Sequence, residues 1–212
     1  MDYQTIRKRT AYLRGETDYT TSTANTVIND HINYEIKEIC NQFPFSWNLT
    51  SADLTLSSGV ATMPTDYNPK WRIYDARIVG SNKMDDTKFS EIPIENRDDY
   101  QNTSVYWMTY DTTAETYIFN TPTQSGTVTI YYYFIPADLS ADADVCLVPD
   151  GEAVAYGAAS KMYIGDERNI ELKKDYGMEA QRRIQALWSG DNMFAPTYLE
   201  RSVAGDNLGQ NE

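Results

Sequence analysis

The sequence predicts an α+β fold: an antiparallel β-sandwich or barrel of about six to seven short strands, flanked by N-terminal and C-terminal helices, with an extended C-terminal arm. Three observations predict it. Val128, Ile130, Tyr132 and Phe134 alternate with Thr127, Thr129, Tyr131 and Tyr133, a period of two in residues that suit a pleated sheet. Ile28, Ile32, Ile36, Ile39 and Phe43 step by four, four, three and four, which is an amphipathic helical stripe. Residues 192–212 carry Pro196, two glycines and few apolar anchors, chiefly Met193, Phe194, Tyr198 and Leu199, so they cannot form a core of their own. The expected organisation is N-terminal helices over 1–48, sandwich over 49–137, an acidic connector with C-terminal helices over 138–190, and an arm over 191–212: one folded domain plus the arm.

In chain order, Tyr3, Ile6, Thr10 and Leu13 fall on one helical face, and Gly15 offers a stop. Arg7, Lys8, Arg9 and Arg14 make this segment locally basic, which reads in general as a plain solvated helix face and, on the functional reading, as a candidate docking surface for an acidic partner. A polar link over 17–23 leads to the isoleucine-striped helix over 24–42, which Thr23 or a neighbour can cap and Pro44 stops. Phe45 and Trp47 follow as large apolar anchors.

The β region comes next. Residues 53–55 and 60–63 read as a short hairpin about Ser57-Ser58-Gly59. Residues 71–80 read as a longer strand. Residues 89–94 contain Pro93 and read as an edge or bulged strand. Residues 95–101 read as a short helix or turn. Strands over 105–110 and 115–120 precede the alternating run that Pro136 ends. Asp138, Asp142 and Asp144 then occupy a connector without a basic residue. Asp150, after Pro149, can cap a helix that begins at Gly151. Ala153, Tyr156, Gly157, Ser160 and Ile164 share one face of it, and small residues there allow close packing. A last helix over 170–187 shows Ala180, Ile184, Leu187 and Trp188 as its stripe, and Ser189-Gly190-Asp191 reads as its end.

Composition narrows the function. The chain has 212 residues, 41% of them apolar and 23% charged, which is ordinary for a globular protein. Its net charge of −13 repels phosphate backbones, so general nucleic-acid binding is disfavoured. The basic clusters 7–9, 173–174 and 182–183 are small and separated. No apolar run approaches a membrane span, and no secretory leader precedes Cys40 and Cys146, so cytosolic synthesis with free thiols is expected.

No catalytic set stands out. His31 lies nine residues before Cys40 in one helix, about 13 Å away at the helical rise, too far for a nucleophile and its base. Cys146 sits in an apolar run beside aspartates, which disfavours a thiolate. Both cysteines read as small core residues. One histidine and two scattered cysteines exclude the usual zinc spacings. Asp142-Ala143-Asp144 and Asp150-Gly151-Glu152 lack the spacing of a calcium loop. No phosphate loop or dinucleotide fingerprint is present, so no cofactor, no metal and no enzymatic activity are expected. Two other readings stay open: a carbohydrate-binding or tail-fibre sandwich module using Trp71, Trp107 and Tyr131, and a cell-wall hydrolase acting through two carboxylates.

The order of short motifs over residues 24–190 resembles the head–tail adaptor (connector) proteins of tailed bacteriophages. The motifs are Ile32-Asn33 with Ile36, then Phe45-Ser46-Trp47, then Leu54-Thr55-Leu56 with Gly59. Next come Met63-Pro64-Thr65-Asp66-Tyr67, Tyr117-Ile118-Phe119 before Thr121-Pro122, and the run 128–133 before Pro136. Leu147-Val148-Pro149 then leads into an Ala/Gly-rich helix. The resemblance implies a virion structural protein at the neck, docked on the portal protein and contacting tail or neck proteins. It implies a homo-oligomeric ring of about twelve copies closed by head-to-tail contacts. DNA would pass through without specific binding, with no membrane involved, and assembly would occur in the host cytoplasm. On this reading Arg7, Lys8, Arg9, Phe194, Tyr198 and Leu199 are candidate portal or subunit contacts, and Asp138, Asp142 and Asp144 are candidate lumen-facing acids.

Overall fold

The computed structural model describes residues 1–15, 22–78, 87–100, 104–122, 126–162 and 169–194, with side chains omitted at 22–25 and 192–194. The chain divides into two compact units. One combines Met1–Ile39 with the residues from Leu139 onward, and the other is Cys40–Asp138.

The first unit is helical. Helix α1, Tyr3–Leu13, starts where the Asp2 carboxylate accepts from the Thr5 N–H at 2.7 Å. It ends as expected at Gly15, whose φ of +73° is left-handed. Helix α2, Ser22–Gln42, carries the isoleucine stripe inward: Ile28, Ile32 and Ile39 are fully buried and Ile36 nearly so. Helix α3, Gly151–Met162, is capped as expected by Asp150, which accepts from the N–H groups of Glu152 and Ala153. Its burial runs almost all round instead of along one stripe, with Ala153, Val154, Ala155, Ala158 and Ala159 inaccessible. Alanine and glycine make that possible, because α1 and α4 both pack on α3.

Helix α4, Ile170–Phe194, corrects one expectation. Ser189-Gly190-Asp191 does not end it. Gly190 keeps a negative φ inside the helix, so the glycine lowers propensity there without breaking the turn. Ala180 and Ile184 are buried as the stripe predicts. Ile164 lies outside the described residues.

The second unit is the sandwich, with two sheets of four strands each. Its strands are β1 Leu49–Leu56, β2 Val60–Thr62, β3 Asp75–Ile78, β4 Thr87–Lys88, β5 Ser90–Glu91, β6 Val105–Asp111, β7 Thr116–Asn120 and β8 Gly126–Tyr133. The orders are β1-β8-β3-β4 and β2-β7-β6-β5. Every pairing is antiparallel except β5 with β6.

Two local readings change. The turn at Ser58-Gly59 is tight, and Ser57 and Val60 exchange both backbone bonds. Both turn residues have positive φ, 52° and 82°. Yet β1 and β2 do not continue as a hairpin. β1 pairs with β8 and β2 with β7, so the turn is a corner that carries the chain between sheets. A second corner lies at Phe89. Lys88 pairs with β3, Ser90 pairs with β6, and buried Phe89 sits between them. Of the strand expected over 71–80, residues 71–74 precede β3, Asp75–Ile78, and residues 79–80 lie outside the described residues. Residues 95–100 of the expected short helix or turn belong to a 3-10 helix, Ile94–Tyr100, and residue 101 lies outside the described residues.

The core lies between the sheets. Val128, Ile130 and Tyr132 point inward as the alternation predicts, meeting Leu54, Leu56, Met63, Ala76 and Phe119. Phe119 stacks on Tyr106 with ring centroids 4.8 Å apart and meets Phe89 edge-on at 6.4 Å.

Candidate functional site

The basic helix and the acidic connector, read from the sequence as two separate sites, are one assembly. Asp142 accepts from Arg7 through one carboxylate oxygen and from Gln4 Nε2 at 3.3 Å through the other. The backbone reinforces this: Tyr3 N donates to Asp144 O at 2.8 Å, Gln4 N to Asp142 O at 3.2 Å, and Cys146 N to Met1 O at 3.1 Å. Arg7 is buried, and its guanidinium lies 5.0 Å from the Tyr3 ring centroid. Asp144 turns back into its own loop, accepting from the N–H groups of Ser140 and Ala141 at 2.8 Å each. Those two bonds hold its carboxyl below the usual range. Asp138 is exposed.

Arg9 belongs to a second internal network. Its Nε donates to Glu152 at 2.9 Å and its terminal nitrogen to the Tyr156 hydroxyl at 3.1 Å. Tyr156 is flanked by two guanidinium groups, Arg9 at 5.5 Å and Arg183 at 5.6 Å. Arg183 donates in turn to Asp150 at 2.9 Å and to Glu179 at 2.7 Å. Arg182 and then Arg183 pull the Glu179 carboxyl down to about 2. This chain of charges and rings stitches α1, α3 and α4 together. On the exposed stripe of α1 stand Thr5, Lys8 and Tyr12, the last 72% exposed.

A third cluster joins α2 to α3. Lys161 donates to both Glu35 and Glu38 and lies 4.5 Å from the Tyr34 ring centroid. Glu35 is only 3% exposed. Burial pushes its carboxyl up despite the ammonium beside it, and the two carboxylates outweigh burial at Lys161 to raise the lysine. Gly157 makes the approach possible: a Cβ there would sit 2.1 Å from Glu35 Oε1.

For chemistry these clusters offer little. Among the described residues no group of three His, Cys, Asp or Glu side chains could hold a metal ion. Both cysteines are free thiols and buried, and burial raises the Cys146 thiol. Among the described residues no helix is long and apolar enough to cross a membrane. The aromatic residues considered for sugar stacking are dispersed. Tyr131 is on β8 of the first sheet and Trp107 on β6 of the second. The Trp71 indole N–H is donated to the Cys40 carbonyl at 3.2 Å.

A scan of protein families places a match over residues 1–200, to the model described as SU10 adaptor protein. The chain belongs to this family of phage head–tail adaptors. A search of curated proteins gives no significant match. The family match extends past the motifs over 24–190 to include α1 and the start of the arm. An adaptor is a structural virion component, which fits clusters that brace helices instead of presenting reactive groups.

For this adaptor chain, sequence reasoning named Arg7, Arg9, Asp142 and Asp144 as candidates without seeing that Arg7 and Asp142 are partners. Phe194 closes α4, while Tyr198 and Leu199 lie outside the described residues. The residues missed were Glu35, Lys161, Tyr156 and Arg183. Their sequence signals were a lysine at the end of a small-residue helix, an acid inside the isoleucine stripe, Tyr156 on the small-residue face and Arg183 in the 182–183 basic cluster, none of which points to a shared network.

Proposed function

We propose that the chain is a subunit of a homo-oligomeric adaptor ring, of about twelve copies, that docks on the portal, joins capsid to tail and forms part of the DNA conduit. The observation that carries this is the family match over residues 1–200. The charge of −13 supports it independently, because a conduit wall that repels phosphates lets DNA slide instead of gripping it. Exposed Asp138 and the outer side of the Asp142 carboxylate, whose side chain is 58% exposed, are the lumen-facing candidates. Asp144 serves mainly to shape their loop.

The docking patch on α1 is its exposed stripe, Lys8 with Tyr12, extended by Arg9, whose guanidinium lies 5.6 Å from the Tyr12 ring centroid. Buried Arg7 contributes by holding the connector. Phe194, Tyr198 and Leu199 anchor the arm on a neighbouring ring or portal subunit.

The test is the mass per particle of the purified protein, alone and mixed with its portal. A closed ring on the portal is the expected result. A protein that stays monomeric with portal present would overturn the reading.

A further inference from the structure

Strand β1 forms one edge of the first sheet. Its pairing phase follows from two bonds. Phe134 N donates to Asn48 O at 3.2 Å, and Leu49 lies opposite Tyr133. In an antiparallel ladder this turns the N–H and C=O groups of Thr50, Ala52, Leu54 and Leu56 toward β8. Those of Ser51, Asp53 and Thr55 point away from it. The other side of β8 agrees: Tyr131 O accepts from Tyr74 N, on the β3 side, at 2.8 Å. Among the described residues nothing pairs with the outward backbone groups of Ser51, Asp53 and Thr55, and all three residues are exposed.

The remaining edges are blunt. β4 and β5 have two residues each and β2 has three. Edge strands are otherwise protected by proline, lysine or a bulge. The eight residues of β1, LTSADLTL, include no proline and no lysine, and the ladder to β8 is unbroken. Their single charge, Asp53, accepts from Thr129 Oγ1 at 2.6 Å. Such an edge is suited to adding a strand from another chain.

We propose that β1 is the docking edge for the C-terminal arm of a second copy of this chain, with residues 197–203 of that copy added as a strand. The inference rests on the ring reading above. Running along the three outward-facing positions, Ser51 to Thr55, takes five residues at a strand's rise, and a seven-residue strand leaves one to spare at each end. The longer internal segments outside the described residues, 16–21, 79–86 and 163–168, have six, eight and six residues and are tethered at both ends. Residues 195–212 number eighteen, more than twice the length the edge requires. Their stretch Thr-Tyr-Leu-Glu-Arg-Ser-Val follows Pro196, which cannot continue α4. Thr197, Tyr198 and Val203 favour strands, and Arg201 brings a charge opposite to Asp53. An arm passed from each copy to the next is a head-to-tail contact, the type that closes a ring.

Residue-resolved amide exchange on the full-length protein, as monomer and as assembled ring, tests this. The amides of Ser51, Asp53 and Thr55 should exchange freely in the monomer and at least about tenfold more slowly in the ring, while Ala52 and Leu54 are slow in both. In any ring formed by a variant lacking residues 195–212, or in a full-length variant carrying Tyr198→Pro and Arg201→Pro, the three amides should stay fast. Ser51→Pro removes an outward N–H without touching the ladder to β8, so it should fold normally and assemble less. A full-length ring whose three amides exchange as in the monomer would overturn the edge assignment. Protection that persists in the arm variants would overturn the arm as occupant. Failure to form any ring on the portal would instead overturn the adaptor-ring reading itself.

Discussion

At the scale of single residues, the contact between Gly157 and Glu35 makes the sharpest demand on the sequence. A Cβ at 157 would come within 2.8 Å of three atoms of the Glu35 side chain. Glu35 is buried and bonded to Lys161, so it cannot swing aside without leaving a buried charge unpaired. Gly157→Ala should cost about 2–4 kcal/mol, read as a lowered denaturation midpoint with an unchanged slope. The same cluster has a pH signature. Glu35 binds its proton more tightly folded than unfolded, because burial outweighs Lys161. Its contribution to stability is therefore complete below the ordinary carboxyl range and lost as pH rises through the raised value. Glu35→Gln removes that titration, so the variant should gain on the wild type as pH rises above the ordinary carboxyl range in parallel thermal melts. A variant that instead loses ground over that rise would show that the Lys161 pair dominates.

Among the elements, the two glycines near helix ends make opposite predictions. Gly15 has a positive φ beyond the end of α1, so Gly15→Ala should destabilise by about 1 kcal/mol. Gly190 is helical, and a Cβ there meets nothing within 4 Å, so Gly190→Ala should stabilise α4 by about 0.5–1 kcal/mol. Thermal unfolding of both variants checks the pair. The contrast shows where sequence reasoning reached its limit. A glycine beside serine and aspartate reads as a stop, but α4 runs through it for four more residues. Periodicity carried most of the rest. The isoleucine stripe, the β8 alternation and the Asp150 cap were all legible, because each is set by neighbours a few residues apart. What local pattern could not show was which strands pair. The tight turn at Ser58-Gly59 has the chemistry of a hairpin, yet the inward-facing residues of β1 and β2 lie in facing sheets. The candidate site fared likewise: the residue types of Arg7 and Asp142 were visible, but 135 positions separate them and nothing nearby announces the bond.

For the whole molecule, acidity is the property the adaptor reading uses most. With a net charge of −13, the protein should leave duplex DNA unretarded in a mobility assay at low salt, the condition most favourable to binding. Retardation there would remove the argument for a sliding conduit. Truncation should separate folding from assembly. Because α4 is helical to Phe194, the informative cut is after that residue. A chain ending there should keep its thermal transition while losing attachment to neighbours, which sedimentation with portal would report.

The helical unit is assembled from the two ends of the chain, with Cys40–Asp138 inserted between them. On a ribosome this imposes a schedule. The α2 stripe emerges early, but the α3 helix joined to it through Lys161 is still unmade. At bacterial-scale synthesis of about 5–20 residues per second, the sandwich is completed during a wait of roughly 5–20 s before the helical unit can close. Throughout that interval Ile28, Ile32, Ile36 and Ile39 have no partner from the second half of their unit. The inserted sandwich should therefore gain protease resistance on stalled nascent chains before the N-terminal helices do. During that wait the isoleucine face is the part of the nascent chain most in need of a chaperone.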